Sequence, residues 1–443
     1  MKAYPDADIA DNDATRRPRL LYLAYAFRPG RLTSCTRTWH TAVHLQRLGW
    51  DVTVATINSD AWLHADDQDD VELELSRLGI RTIRKEPGLR FLAPDHLGWA
   101  DRGLKRILGG VGRRVARRIG HDMASLWGRR IERAVFKAAE NYDVVLATGG
   151  PFSSFRAARR IAKRLGVRYV LDYRDLWGAN PHTRHRASDE RKIIAEASCV
   201  IGVSRSLVEV LREQYGVGDR SLVLTNGFDE GELSQITATR FEHPTIVYTG
   251  QFYPPKSTVD PVFAALSILR TRSARWREGN WRFEYFGPQS SYVTARAELH
   301  GLSQYVRTHG SVPRRDALAA AAGATLFTVV VSEDASAGMV DRGILTSKIF
   351  DAIGLKKRTL VIAPEGCDIY ELLARTGVGR AFPSSNVDEV ASFIEEALAG
   401  STLDAVESSP FEWTGIAETL DQALRSAIGR DRGVATENET PAV

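Results

Sequence analysis

Two carboxylates, an arginine and a tryptophan directly follow an apolar run near the middle of the chain. After residues 169–171 the sequence continues with Asp172, Arg174, Asp175 and Trp177. At the carboxyl end of a strand, a carboxylate can take the proton of an attacking hydroxyl, and an indole can stack on a sugar ring. Asp175 is therefore our candidate catalytic residue, with Arg174 and Trp177 beside it. The alternative is a structural ion-pair network in which Asp172 and Asp175 flank Arg174 and fix the loop.

A second candidate site lies where a helix is predicted to begin, at Thr346 and Ser347. Free backbone N–H groups and the positive end of the helix dipole form an anion site, to which Lys348 adds a full charge suited to a diphosphate. Asp351, one turn further along the helix, can accept hydrogen bonds from ribose hydroxyls. Alternatively, Lys348 and Asp351 form an ordinary pair on a solvated helix, which is worth only ~0.2–0.5 kcal/mol.

Two glycines and a lysine extend this second site. Gly250 and Gly287 each follow a predicted strand at its carboxyl end, where the absence of a side chain lets a ligand approach the backbone. Lys256 follows Gly250 closely. A glycine after a strand is most often only a turn, but three elements that converge at one sheet edge indicate a site.

Other common chemistries lack their patterns in this sequence. There is no Walker A motif, and the pair Gly149-Gly150 lacks the spacing of a dinucleotide fingerprint. His182 and His185 have no carboxylate or cysteine at metal-ligand spacing. The three cysteines are far apart and form no CxxC pair, which argues against a disulfide framework and favours a reducing compartment. We predict no metal, no cofactor and a cytoplasmic location.

Short apolar or β-branched runs alternate with stretches of helical periodicity, a rhythm that predicts βα units and mainly parallel sheets. The predicted strands fall into two sets, 19–27, 51–57, 142–148, 168–172, 199–203 and 221–224, followed by 245–249, 281–286, 306–309, 324–331 and 358–363. The fold class is therefore α/β, with two Rossmann-like, doubly wound domains that face each other across a cleft. Such sheets bind ligands at the carboxyl ends of their strands.

The Asn226-Gly227 turn signal and the polar stretch after it mark the linker between the two sets. We predict a flexible leader at 1–17, an N-terminal Rossmann-like domain at 18–238 and a C-terminal Rossmann-like domain at 239–408. A helix at 409–427, which could return to the N-terminal domain, and a disordered tail at 428–443 complete the chain.

Composition places the chain among soluble globular proteins. Its 443 residues are more than a single hydrophobic core usually supports, so more than one domain is expected. Hydrophobic residues make up 43% and charged residues 26% of the chain, and this composition excludes collagen-like and disordered classes. The net charge of +4 is too small to predict nucleic-acid binding. The longest small-and-apolar run, 317–331, is shorter than the ~20 residues of a membrane span.

The strongest local charge lies at 102–137, where eleven Lys or Arg residues accompany only Asp122 and Glu132. Interleaved apolar residues make this a basic amphipathic segment, which is typical of an anionic membrane surface or an anionic acceptor. A solvated helix face is an equal alternative, and RNA binding is weaker because no RNA-binding motif accompanies the charge. The protein could therefore lie peripherally at the inner face of a membrane.

In their order and spacing these residues resemble the GT-B glycosyltransferases, and within them the GT4-type group with an RDxW element. The resemblance spans about residues 19–424. In the first half its motifs are Arg28-Pro29-Gly30 with Arg37, Gly49-Trp50, Pro94-Asp95 with Trp99, Ala147-Thr148, 172–177 and 226–229. In the second half they are 250–253, Phe286-Gly287, His309-Gly310 and 347–351.

The resemblance implies a nucleotide-sugar donor, held mainly by the second domain without a catalytic metal. The diphosphate would lie near Lys256, Lys348 and backbone amides, and the ribose on Asp351. A hydroxyl acceptor, whether lipid-linked, a glycan or a small molecule, would enter from the N-terminal side, near Gly30 and Arg37. Transfer with retention follows by analogy with the group.

Three departures from the group matter. GT4 enzymes commonly carry an acidic residue eight positions before the ribose-binding one, and here that position is Gly343, while the ribose residue is Asp351 rather than Glu. The glycine pair of the first loop is also reduced to Gly30. A non-catalytic GT-B partner subunit therefore stays open, and so does a nucleotide-sugar 2-epimerase, although the acidic and histidine residues that an epimerase needs are sparse.

Overall fold

The computed structural model describes residues 16–62, 65–87, 124–178, 187–333, 338–400, 403 and 405–432. The described residues form two compact units, one up to Val170 together with those from Leu424 onward, the other from Leu171 to Ala423. Most of the predicted leader, most of the basic segment at 102–137, the motif at 94–99 and both His182 and His185 lie outside the described residues.

Seven strands form the first sheet. They are β1 (Arg19–Leu23), β2 (Asp51–Ile57), β3 (Arg81–Lys85), β4 (Val144–Thr148), β5 (Arg168–Tyr173), β6 (Cys199–Gly202) and β7 (Ser221–Val223). Their order is β3-β2-β1-β4-β5-β6-β7. The pairs β1–β2, β1–β4, β2–β3 and β6–β7 are parallel.

Six strands form the second sheet, and all of its pairings are parallel. They are β8 (Thr245–Thr249), β9 (Arg282–Phe286), β10 (Val306–Thr308), β11 (Leu326–Val330), β12 (Thr359–Ile362) and β13 (Gly379–Phe382). Their order is β10-β9-β8-β11-β12-β13. The two parallel sheets, with the helices that alternate with their strands, confirm the predicted α/β class with two Rossmann-like domains.

Helices connect the strands of both sheets. Up to β8 they are α1 (Thr33–Arg47), α2 (Gln68–Leu78), α3 (Ser125–Ala138), α4 (Ser153–Leu165), α5 (Ala187–Glu196), α6 (Arg205–Tyr215) and α7 (Glu230–Ser234). After β8 come α8 (Asp260–Arg272), α9 (Ala274–Glu278), α10 (Ser290–Leu299), α11 (Arg314–Gly323), α12 (Met339–Arg342), α13 (Ser347–Gly354), α14 (Asp368–Thr376), α15 (Val387–Leu398) and α16 (Trp413–Arg432).

The central strands are mostly apolar or β-branched because parallel strands are covered on both faces. Every residue of β4 and of β11 is buried. Successive residues of a strand point to opposite faces, and accordingly Tyr248 and Val247 of β8 belong to two different apolar clusters. The second sheet is thus the centre of a layered core.

The order of the second sheet reverses at β8. The chain passes from β8 to β9 on one side and later enters β11 on the other side of β8. In open α/β sheets such a reversal opens a crevice at the carboxyl ends of the strands, where ligands bind. The residues that follow β8 and β9 therefore lie where a binding site is expected.

The predicted strands all have a counterpart, but β3 and β13 were missed. Both lie at a sheet edge, where one side is unpaired and charged residues are tolerated. β3 carries Arg81, Arg84 and Lys85 among its five residues, so it has no apolar run to reveal it.

The last helix is longer than predicted. α16 runs from Trp413 to Arg432, so residues 428–432 are helical rather than part of a disordered tail. Its buried residues include Leu420, Leu424 and Ala427, which continue the helical period almost to that boundary. Among the described helices, none is both long and apolar enough to span a membrane. The predicted domain boundaries stay predictions.

Candidate functional site

Gly250, Gly287 and Lys348 meet at the carboxyl edge of the second sheet. The Gly250 N–H donates to the Phe286 carbonyl at 2.7 Å, and the Tyr285 hydroxyl donates to the Gly250 carbonyl at 2.9 Å. A β-carbon at Gly287 would lie 2.2 Å from the Gly250 oxygen, and one at Gly250 would lie 2.8 Å from Cε of Lys348. Gly287 requires glycine because backbone and ring atoms fill the space. Gly250 requires it because its φ of +94° is a conformation that residues with a side chain rarely adopt.

Lys348 is a partly buried cation rather than a surface lysine. Its Nζ lies 4.7 Å from the centre of the Tyr248 ring and donates to the Tyr248 hydroxyl at 3.2 Å. Burial lowers the pKa of Lys348 to about 8, an effect that the nearby Asp351 carboxylate opposes. A desolvated ammonium gains more from an approaching anion than a hydrated one, so this position suits a diphosphate.

Asp351 bonds to an arginine and not to Lys348. Arg314 donates to Asp351 Oδ1 at 2.8 Å and to Oδ2 at 3.3 Å, and it also donates to Glu232 at 2.9 Å. Burial raises the pKa of Asp351, and the Arg314 charge opposes that rise. The ordinary Lys348–Asp351 surface pair is therefore not what the structure contains. A carboxylate can accept about four hydrogen bonds, so Asp351 can still accept from ribose hydroxyls.

The N terminus of α13 has no side-chain cap. Thr346 occupies the N-cap position, but its side chain makes no capping hydrogen bond. The Thr346 Oγ1 atom is buried without a hydrogen-bond partner among the described residues. Thr346 therefore does not cap this helix through its side chain. Uncapped N–H groups of a first helical turn remain able to bind an anion.

Lys256 lies on a tight turn in the loop after β8. Tyr253 and Ser257 exchange backbone hydrogen bonds at 2.9 and 3.0 Å, and the Pro254-Pro255 bond is cis. The Lys256 ammonium forms an ion pair with Asp341. The structure thus gives Lys256 a carboxylate partner of its own, which a diphosphate would have to replace.

Gly343, at the position where an acidic residue is common in the resembling group, is closely packed. A β-carbon there would lie 2.5 Å from Ser204 Oγ and 3.4 Å from the Leu207 nitrogen. Ser204 is the N-cap residue of α6 and Leu207 lies in its first turn, in the same unit as Gly343. The start of α6 therefore leaves little room for a larger side chain at this position.

Further contacts hold the first turn of α6. Asp368, the first residue of α14, accepts a hydrogen bond from the Ser206 N–H at 2.9 Å, and Arg205 pairs with Glu371 at 2.7 Å. Ser204 itself makes no side-chain cap, so Asp368 supplies the cap of α6. A cavity of about 340 Å³ lies beside these contacts, lined in part by Arg342 and Cys367.

Of the candidate residues after β5, only Trp177 is placed differently from expectation. Asp175 is exposed and Arg174 is partly buried, as a loop contact to a ligand requires. Trp177 is only 1% exposed, so its indole packs in the core and offers no face to a sugar. The stacking role expected for Trp177 is therefore wrong for this structure.

Gly30 and Arg37 lie in the other unit. A β-carbon at Gly30 would lie 2.5 Å from the Trp62 ring, which explains the glycine by packing. Arg37 is only 3% exposed, so it presents no charged surface to an acceptor. Its predicted acceptor contact is not supported, because burial removes the guanidinium from solvent.

Comparison with known proteins agrees with this architecture. Residues 35–227 match the family model of the glycosyl transferase 4-like domain. No curated protein sequence matches the chain. Sucrose-phosphate synthase from Thermosynechococcus elongatus is 13% identical with a TM-score of 0.59, over 94% of this chain and 100% of that one.

Two further solved structures are similar. HepE from Anabaena, in complex with UDP and glucose, is 14% identical with a TM-score of 0.56, over 93% of this chain and 100% of that one. The lipopolysaccharide outer core galactosyltransferase WaaB, in its apo form, is 10% identical with a TM-score of 0.54, over 92% and 99% of the two chains. At these identities the likeness shows the fold, which is GT-B.

Sequence reasoning missed Tyr248, Arg314, Glu232 and Asp341, the partners of the candidate residues. Tyr248 could have been found, because it precedes Gly250 by two residues in a predicted strand. Arg314 and Glu232 carry no local signal, since they reach Asp351 only through the tertiary fold.

Proposed function

We propose that the protein is a glycosyltransferase that moves a sugar from a nucleotide-sugar donor to a hydroxyl acceptor. The observation that carries the proposal is the meeting of Gly250, Gly287 and the partly buried Lys348 at the carboxyl edge of the second sheet. The match of residues 35–227 to a glycosyl transferase 4-like domain supports it. HepE, with the same fold, binds UDP and glucose, which supports a nucleotide-sugar donor.

The donor would be held by its diphosphate and its ribose. Lys348 and the uncapped N–H groups of α13 would bind the diphosphate, and Lys256 would join them after leaving Asp341. Asp351 would accept from the ribose hydroxyls. These groups neutralise the leaving diphosphate, so the proposal includes no metal and no cofactor.

In the transfer step, the acceptor oxygen forms a bond to the anomeric carbon of the sugar. The bond between that carbon and the diphosphate oxygen breaks, and its electron pair leaves with the nucleoside diphosphate. The acceptor proton passes to a base, for which Asp175 is our candidate because its carboxylate is exposed after β5. Retention of anomeric configuration is proposed from the resemblance to the GT4 group.

A non-catalytic partner subunit is the second candidate, and the packing of Gly343 favours it. An acidic residue that the group commonly carries is replaced by a glycine whose space α6 fills. The two functions differ in one product. A transferase releases nucleoside diphosphate from the donor in the presence of an acceptor, whereas a partner subunit only binds the donor and releases none.

We also propose that the protein works at an anionic membrane from the cytoplasmic side. The described part of the basic segment forms α3, which packs against α4. Together these helices carry nine Lys or Arg residues and one acidic residue, Glu132. Each cation near an anionic membrane contributes about 1 kcal/mol, so this face suits a lipid-linked acceptor.

Thermal-shift screening tests the proposed donor. The protein is heated alone and with UDP, GDP, dTDP and their sugar conjugates, each at a high concentration. A ligand at 100 times its dissociation constant stabilises the fold by about 2.7 kcal/mol, which moves the melting temperature by several degrees. A rise with at least one nucleoside diphosphate supports the proposal, and no response to any of them contradicts it.

A further inference from the structure

One guanidinium joins two carboxylates beside the candidate donor site. Arg314 Nε and one terminal nitrogen donate to the two oxygens of Glu232 at 2.9 and 3.1 Å. That terminal nitrogen also donates to Asp351 Oδ1 at 2.8 Å, and the other donates to Oδ2 at 3.3 Å. Four of the five N–H groups of the guanidinium are thus used, in the paired geometry that a planar fork allows.

The three side chains belong to three different elements. Arg314 is the first residue of α11, Glu232 lies in α7 and Asp351 lies in α13. The Asp351 side chain is 13% exposed, whereas those of Glu232 and Arg314 are 36% and 45% exposed. Asp351 therefore depends on its partner most, because an ionised carboxylate that is nearly buried is costly unless it is paired.

We propose that Arg314 is a positioning residue of the donor site, which holds the Asp351 carboxylate in one orientation with its remaining lone pairs free for the ribose hydroxyls of a nucleoside diphosphate. This inference rests on the proposed function. Arg314 itself touches no ligand and acts only through Asp351. A side chain fixed by two bonds loses less conformational freedom when a ligand binds, which raises affinity.

The charges around Asp351 support the same role. Arg314 from α11 and Lys348 from its own helix favour the ionised carboxylate, while burial and Glu232 from α7 oppose it. Burial raises the pKa of Asp351, and removal of Arg314 would raise it further. The protonated carboxyl is a poorer acceptor, so this rise in pKa adds to the loss of the ribose contact in such a variant.

A lysine cannot replace this arginine. The ammonium of Lys is a point charge on a flexible stem and cannot bond to both oxygens of one carboxylate while holding a second carboxylate in the same plane. Arg314→Lys therefore keeps the net charge but loses the fixed geometry.

A thermodynamic cycle separates positioning from mere structural support. The wild type and the Arg314→Met variant are each titrated with the nucleoside diphosphate found by thermal shift, with its 2′,3′-dideoxy form and with inorganic pyrophosphate. In the wild type, removal of the ribose hydroxyls should weaken binding by about tenfold or more, the value of a charge-assisted hydrogen bond. In Arg314→Met the ribo and dideoxy forms should bind alike, because the contribution of the ribose hydroxyls depends on Arg314 and the two effects are not additive. Pyrophosphate should keep its affinity within about twofold.

Two further variants keep the test decisive. Arg314→Lys covers the case in which Arg314→Met does not fold, and it should lose most of the ribose preference. Arg315→Met removes the neighbouring exposed cation of the same helix and should change nothing.

The outcomes are distinguishable. A wild type that binds no nucleoside diphosphate contradicts the proposed function itself. A wild type that binds one, with a full ribose preference retained in both Arg314 variants, overturns the inference about Arg314 and leaves the proposed function standing. Equal losses for the nucleoside diphosphate and for pyrophosphate would assign Arg314 to structural support of α13, which also overturns the inference.

Discussion

Gly250 lies directly against the side chain of Lys348: a β-carbon at Gly250 would lie 2.8 Å from Cε and 3.2 Å from Nζ of Lys348. The two residues are almost a hundred positions apart, and only the fold brings them together. The glycine leaves room for the lysine stem, and the stem delivers the ammonium to the carboxyl edge of the sheet. The candidate diphosphate site depends on this pair.

The first prediction concerns Gly250→Ala. Its φ of +94° is a conformation that a residue with a side chain adopts only at a cost of about 1 kcal/mol or more, and the added methyl group also displaces Lys348. We expect a lower melting temperature and a clear loss of nucleoside diphosphate affinity by calorimetry. Gly400→Ala is the matched control, because Gly400 has a φ of +92° with no atom within 4 Å of the added carbon. Equal affinity in Gly250→Ala and Gly400→Ala would refute the steric relationship.

The second prediction concerns pH and the stability contributed by Lys348. Its pKa falls from 10.5 to about 8 on folding, so between these values the unfolded chain binds more protons than the folded one. Stability therefore rises with pH in this window, by the linkage between proton binding and unfolding. Lys348→Met avoids the buried charge and should melt higher than the wild type at pH 7, by an amount that corresponds to about 1 kcal/mol. The difference in melting temperature should shrink by pH 10, and a constant difference across that range would contradict the burial of the charge.

The third prediction concerns Gly343. Gly343→Ala forces a methyl group against Ser204 Oγ and should destabilise the fold by about 1–3 kcal/mol, as overpacking does. Ser204→Gly in the same chain should restore part of the loss. Gly338→Ala is the control, since a β-carbon there meets no atom within 4 Å. If Gly343→Ala and Gly338→Ala melted at the same temperature, α6 would not occupy this space.

Much of the fold was predictable, and the reason is that parallel strands bury both faces. Runs such as β4 and β11 are buried throughout and mostly apolar or β-branched, so they stand out in the sequence. The edge strand β3 is the opposite case, because cations occupy three of its five positions and remove the apolar signal.

The site was predictable only in part. Gly250, Gly287 and Lys348 follow local rules, which place a glycine after a strand and a cation at a helix start. The Arg314 partner of Asp351 and the burial of Trp177 follow from tertiary packing, which no local pattern encodes. Asp351 and Lys348 share a helix face, yet each bonds to a residue from another element.

The fourth prediction concerns the basic face of α3 and α4. The protein should sediment with vesicles that contain anionic lipid, but not with neutral vesicles, and binding should fall as salt rises because exposed charges are screened over ~8 Å at physiological ionic strength. Replacement of four cations of this face by serine should weaken vesicle binding strongly. The same replacement of four exposed cations elsewhere should leave vesicle binding unchanged. The two sets are Arg129, Arg133, Lys163 and Arg164 for the variant, and Arg272, Arg275, Arg277 and Arg307 for the control. No binding of the wild type at low salt would favour a soluble acceptor.

The most direct measurement of the central claim is calorimetric titration of a nucleoside diphosphate into the wild type and into Lys348→Met. The structure predicts a loss of about 1.5–3 kcal/mol, or roughly tenfold to a hundredfold in dissociation constant, because one charge-assisted contact to the diphosphate disappears. The wild-type affinity should also fall as the pH rises above about 8, where Lys348 loses its proton, and this dependence should be absent in the variant. Unchanged affinity in Lys348→Met, with the same pH profile as the wild type, would show that the carboxyl edge of the second sheet does not bind the diphosphate.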